Sequence, residues 1–121
     1  MRLYLAGPMR GIPDNNGPAF AEAAAHLRSL GHEVWSPAEH DEKLMPNDLD
    51  GQMLIDVFKR DLAALCDQGG LVLLEGWNRS HGACLECHTA DVIHLPVWLY
   101  EPRVEGALVP KSTHDWRWRA K

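Results

Sequence analysis

The chain has 121 residues, enough for one domain with one core and too few for two. Acidic residues outnumber basic ones, 17 to 12, for a net charge of −5. That balance argues against the basic face duplex nucleic acid requires, but not against a small nucleotide in a pocket. The hydrophobic share of 45% is that of an ordinary globular protein, and three cysteines, an odd number, do not suggest a disulfide framework.

Leu3-Tyr4-Leu5-Ala6 reads as a short buried strand, stopped by Gly7-Pro8. The run is too short for a signal-peptide core or a membrane span, so the expectation is a soluble cytoplasmic protein with reduced thiols and no membrane partner. Residues 9–17, with two Gly, one Pro and Asp14-Asn15-Asn16, read as a long turn. Pro18 suits the first position of a helix and Gly31 the position just past its end. Phe20, Ala23 or Ala24, Leu27 and Leu30 recur between them at helical spacing.

Residues 32–36 form a second candidate strand, closed by Pro37, and residues 38–50 a polar loop. That loop is about as long as ordered loops become, which hints at function. Leu54, Phe58, Asp61 and Leu65 follow one face of a helix spanning about residues 50–66. Leu71-Val72-Leu73-Leu74 is the third strand, followed by a turn through Gly76 and a helix opened by Ser80. Pro96 is expected to break that helix, Val97-Trp98-Leu99-Tyr100 to form a fourth strand, and Leu108-Val109 is a candidate fifth. Trp116 and Trp118 alternate with Arg117 and Arg119, so the tail, residues 101–121, has an aromatic face suited to packing on the body, residues 1–100, or on another subunit. No repeat or low-complexity segment interrupts the chain.

Strands alternating with helices predict an α/β layer fold with a mostly parallel sheet. Ligands of such folds bind beyond the carboxyl ends of the strands. Here those ends are residues 7–11, 36–41 and 75–80, all rich in Gly, Pro and polar side chains.

Asp61 stands on an apolar stripe, where a carboxylate is costly unless it is paired or opens on a site. Glu86 follows Ala83 and precedes Ala90 on a stripe of small residues, and Gly82 and Ala83 would let a ligand approach the helix closely. On spacing alone, a solvated Glu86 and an Asp61 bonded to a local backbone group or to a neighbouring Arg are the ordinary alternatives. Ser80 is a good N-cap, and the N–H groups after it suit a phosphate. Arg10, between Gly-containing turns, suits bidentate capture of the same group. The ordinary alternatives are a plain cap and a solvated loop Arg.

Cys84-Leu85-Glu86-Cys87-His88 spells the C-x-x-C-H of c-type haem attachment. Haem attachment needs export, and no export signal is read. The three residues lie within little more than one helical turn, with no second half of a zinc site, and a redox pair belongs at the helix start. Small thiols packed on a helix are the better account, and no metal or cofactor is expected.

Tyr4-Leu5-Ala6-Gly7-Pro8-Met9-Arg10-Gly11, Pro37-Ala38-Glu39-His40-Asp41, Asp61, and Gly76-Trp77-Asn78-Arg79-Ser80-His81-Gly82-Ala83 followed by Glu86 resemble the nucleoside 2-deoxyribosyltransferase superfamily. The resemblance covers residues 2–100 and is nearest to short bacterial and phage members. The Ser80-to-Glu86 spacing is similar to that of deoxynucleoside-monophosphate N-glycosidases. It implies a flavodoxin-like (Rossmann-like) three-layer sandwich with a small, mostly parallel sheet of about four or five strands. It also implies a homodimer or higher homo-oligomer, with the site completed by a neighbouring chain.

The resemblance further implies roles. Glu86 takes the place of the nucleophile and Asp61 that of a second acid, which orients it or assists the leaving base. Tyr4 falls near a tyrosine used at the site. Ser80, Gly82 and Ala83 fall where a 5′-phosphate is held, and Gly7, Pro8, Met9, Arg10, Gly11 and His40 fall in substrate-binding loops. Trp77 is expected to stack on the base or to wall the pocket. The implied reaction is cleavage of an N-glycosidic bond of a nucleoside or its 5′-monophosphate through a glycosyl-Glu86 intermediate, with Asp61 protonating the base. The tail does not match the residues that transferases supply from a neighbour's chain end, which leans toward hydrolysis. A nucleotide-binding or sensing protein that does not cleave is the competing expectation.

Overall fold

The computed structural model describes residues 1–40 and 51–111. Most of the loop expected at residues 38–50, and the aromatic face expected at Trp116 and Trp118, lie outside the described residues. Five strands are described: β1 (Arg2–Ala6), β2 (Glu33–Trp35), β3 (Gly70–Leu73), β4 (Val97–Tyr100) and β5 (Leu108–Pro110). The helices are α1 (Gly17–Ser29), α2 (Pro37–His40), α3 (Gly51–Cys66) and α4 (His81–Val92).

The strands form one sheet in the order β2-β1-β3-β4-β5, parallel except for β5, which runs antiparallel to β4. This is the flavodoxin-like order, so the expected fold class is the observed one. Both faces are covered, which is why β1 and β3 read as continuous apolar runs rather than alternating ones. Leu3, Leu5, Val72 and Leu74 turn to one face, where they pack with Phe20, Ala23, Ala24 and Leu27 of α1. Tyr4, Ala6, Leu71 and Leu73 turn to the other and pack with Leu65 of α3 and with Ala83, Cys87 and Ala90 of α4. Strand alternation therefore sends Tyr4 toward α3 and α4.

The chain leaves β1 toward β2 on one side and returns to β3 on the other, and the crevice between the ends of β1 and β3 is the switch point. The two ends approach closely. A Cβ at Gly7 would lie 2.9 Å from Leu74 Cβ, so the close packing of the β1 and β3 ends depends on that glycine.

Two expectations are corrected, and the long turn after β1 is found as expected. Pro37 opens the turn α2 rather than closing the strand into a loop: the Glu39 N–H donates to the Ser36 carbonyl at 3.1 Å. Glu39 on that turn pairs through both oxygens with Arg28 of α1, each at 2.6 Å. α4 ends before Pro96 is reached. His94 adopts a left-handed φ of 61°, and the Leu95 N–H bonds Ala90 O at 2.8 Å while the His94 N–H bonds Asp91 O at 3.2 Å, closing a Schellman motif without glycine. The turn after β1 contains a 3-10 segment, Pro13–Asn16, with Asp14, Asn15 and Asn16 all left-handed. Asn16 Nδ2 donates to the Pro8 carbonyl at 2.9 Å and so fixes the loop that carries Met9 and Arg10.

Candidate active site

A cavity of about 440 Å³ opens at the switch point, between the β1 end, the face of α3 and the start of α4. Of the expected site residues, Gly7, Pro8, Met9, Arg10, Asp61, Ser80, Gly82, Ala83 and Glu86 line it. Gly11, His40 and Trp77 are not among the described residues that do. Trp77 instead walls a second hollow of about 940 Å³ under the β4–β5 turn. Pro8 and Arg79 border both hollows and form the divide between them.

Glu86 lies on the buried stripe of α4 with Ala83, Cys87 and Ala90, and is 6% exposed. The hydroxyl of Tyr4, itself fully buried, donates to Glu86 Oε2. Tyr4 is behind the cavity wall and positions the carboxylate from the sheet side. Burial is the main influence on Glu86 and pushes its carboxyl up to about 8. The Tyr4 hydrogen bond pulls against burial, the Asp61 charge adds to it, and the Arg60 charge opposes it. Burial, followed by the Glu86 and Asp61 charges, holds the Tyr4 phenol far above its ordinary range, so it acts as a donor. A carboxyl kept protonated into the neutral range by burial beside a second carboxylate is a common mark of a reactive site.

Asp61 arrives from the same stripe that carries Leu54 and Phe58, and all three face the cavity, while Leu65 one turn on is fully buried. One helix face thus serves the cavity first and the core second. Leu54, Val57 and Phe58 make an apolar wall; a Cβ at Gly82 would touch Phe58 Cζ at 3.6 Å, so that wall faces the first turn of α4.

Ser80 caps α4 and its Oγ accepts from the Ala83 N–H at 3.2 Å. The N–H groups of His81 and Gly82 have no backbone acceptor among the described residues. Arg10 and Arg79 border the same cavity, and neither guanidinium has a hydrogen-bond or ion-pair partner among the described residues. Two guanidinium groups and a helix N-terminus therefore share one cavity with two carboxylates.

His40 stacks on Trp35 with centroids 4.4 Å apart, and Trp35 stacks on Tyr4 at 5.1 Å. The sequence did not signal Trp35, and it offered Arg60 only as a neighbouring arginine that could bond Asp61, which it does. Phe58 and Leu54 were visible only as core spacing, and Arg79 and His81 only as neighbours of the cap. The two cysteines of the C-x-x-C-H run are absorbed into structure: Cys84 Sγ donates to the carbonyls of Trp77 and Asn78 at 3.7 and 3.6 Å, and Cys87 is buried. Among the described residues no group of three or more His, Cys, Asp or Glu is placed to hold a metal ion. No helix among them is long and apolar enough to cross a membrane.

A family model described as a domain of unknown function, DUF4406, matches residues 1–99. The chain belongs to that family. No curated protein matches it. Among solved structures, this family member is similar to a 2-deoxyribosyltransferase from the psychrotolerant bacterium Bacillus psychrosaccharolyticus, with a TM-score of 0.65 and 24% identity over 82% of this chain and 71% of that one. It is also similar to a conserved protein from Enterococcus faecalis V583, with a TM-score of 0.61 and 22% identity over 85% of this chain and 65% of that one. At these identities the likeness establishes a shared fold.

Proposed function

We propose that this DUF4406 protein cleaves the N-glycosidic bond of a nucleoside 5′-monophosphate, with Glu86 as nucleophile. The observation that carries the reading is Glu86 itself, buried, held by the Tyr4 hydroxyl and opening on a cavity that also contains Asp61. The 2-deoxyribosyltransferase of the same fold supports it by analogy.

Burial, reinforced by the Asp61 charge, keeps a proton on Glu86 at neutral pH, and cleavage requires that proton to move to Asp61. When the proton resides on Asp61, Glu86 is the nucleophile and Asp61 the acid. A Glu86 oxygen then bonds to the anomeric carbon as the bond from that carbon to the base nitrogen breaks. The electron pair leaves with the base, which takes the proton from Asp61. Water next attacks the anomeric carbon, giving its proton to Asp61 and releasing Glu86; transfer replaces water with a second base. The base rests on the apolar wall of Leu54, Val57 and Phe58, and the 5′-phosphate meets Arg10, Arg79 and the His81 and Gly82 N–H groups.

One observation favours a second reading. With its carboxyl raised to about 8, Glu86 keeps its proton at pH 7 unless the substrate or Asp61 draws it away, and the site would then bind a nucleotide without cleaving it. Incubation with nucleosides and their 5′-monophosphates, followed by chromatography of free base, separates the two. Base released by wild type and not by Glu86→Ala supports cleavage. Equal nucleotide binding by both proteins, with no base from either, leaves only the binding reading.

A further inference from the structure

Arg60 is outside the cavity wall, yet it joins Asp61, which lines the cavity, to two residues that do not. Its Nε donates to Asp61 Oδ1 at 2.9 Å, and Nη2 reaches the same oxygen at 2.7 Å. Its Nη1 donates to the His40 carbonyl at 3.1 Å. The guanidinium carbon is 5.7 Å from the centroid of the Trp35 ring. Trp35 in turn stacks on Tyr4, its register partner across β1 and β2, and Tyr4 holds Glu86.

Adjacent side chains on a helix point about 100° apart and do not pair of their own accord. Arg60 and Asp61 pair because the guanidinium is drawn round α3 and pinned between Trp35 of β2 and the last carbonyl of α2. The result is a continuous path from Asp61 through Arg60, Trp35 and Tyr4 to Glu86. A solvated helix Arg would extend outward, but this side chain is only 28% exposed and its partner 12%.

We infer that Arg60 is a positioning residue that locks Asp61 to the Tyr4–Glu86 pair through Trp35, so that the two carboxylates act as one unit. This rests on the reading of Glu86 and Asp61 as the reacting pair. A lysine cannot replace it, because a single ammonium cannot serve the carboxylate, the His40 carbonyl and the aromatic face together.

The test compares wild type, Arg60→Gln and Arg60→Lys in single-substrate kinetics across pH, with thermal unfolding to confirm folding. Arg60→Gln is expected to lower kcat at least tenfold with KM within about threefold, and to move the alkaline limb of kcat/KM to higher pH, because a positive charge beside the carboxylates has been removed. Arg60→Lys should return the limb toward its wild-type position but leave kcat reduced. Wild-type kcat and an unmoved limb in Arg60→Gln overturn the inference. Should Arg60→Gln not fold, wild-type kcat in Arg60→Lys overturns it. If wild-type protein releases no base at all, the functional reading is what has failed. Arg60 is then judged by carbon-13 NMR titration of Glu86, where an unchanged midpoint in Arg60→Gln overturns the inference and an upward shift sustains it.

Discussion

A carboxyl buried against a phenol keeps its proton to higher pH than a solvated one, and Glu86 shows the consequence at the scale of a single residue. It ionises near 4.5 when unfolded and near 8 in the fold. Between those values the folded state binds more protons than the unfolded state, so stability falls as pH rises through that window. Glu86→Gln removes the titration. Urea unfolding at a series of pH values should therefore give a flatter profile for the variant, and at pH 8 a stability above wild type by an amount on the order of a few kcal/mol. Wild-type stability that is level from pH 5 to 8 would contradict the burial argument. Tyr4→Phe acts on the same group from the other side. It deletes the hydrogen bond that holds the carboxyl down, so Glu86 should titrate higher and base release should fall about tenfold or more at pH 7. An unchanged pH–rate profile in Tyr4→Phe would remove Tyr4 from the site.

At the scale of elements, the start of α4 is built for approach rather than for stability. Gly82 occupies the first turn, where its missing side chain leaves the N–H groups open and Phe58 within reach. An alanine fits, since its Cβ would be no nearer than 3.6 Å to Phe58. Gly82→Ala should therefore stabilise the fold by up to about 1 kcal/mol through helix propensity, while raising KM for a phosphorylated substrate several-fold. A variant that is stabilised with KM unchanged would place the phosphate elsewhere. The element pattern was largely legible in the sequence, because strand runs and helix stripes are local. α1 even ends as its glycine requires, with Gly31 left-handed at φ 94°. The end of α4 was not legible. His94 pays the left-handed cost that a glycine would have avoided, and nothing local to Ile93-His94-Leu95 marks it.

At the scale of the molecule, a net charge of −5 coexists with a cavity that gathers Arg10, Arg79 and a helix N-terminus. The overall charge repels an anionic ligand weakly, and the local field attracts it, so the local groups decide. The double variant Arg10→Ala/Arg79→Ala should lose most of the preference for a monophosphate over its nucleoside, while kcat on the nucleoside changes less than threefold. Steady-state comparison of the two substrates in both proteins measures this. If the variant keeps its phosphate preference, another part of the molecule supplies it.

The sequence by itself determined the strand runs, the helix stripes and therefore the α/β class, since burial on one face or both is written in residue spacing. Helix stripes also singled out Asp61 and Glu86, and the family resemblance added Tyr4. What only the tertiary structure decided is which of these residues meet. Tyr4 reaches Glu86 across 82 positions because α4 packs on the sheet face to which Tyr4 turns. Trp77, conspicuous in its motif, turns to a second hollow, whereas Trp35 and Arg60, inconspicuous in theirs, join the carboxylates. The physical reason is the same in each case. Spacing records which face of an element is apolar, but the partner on that face is chosen by how the layers pack.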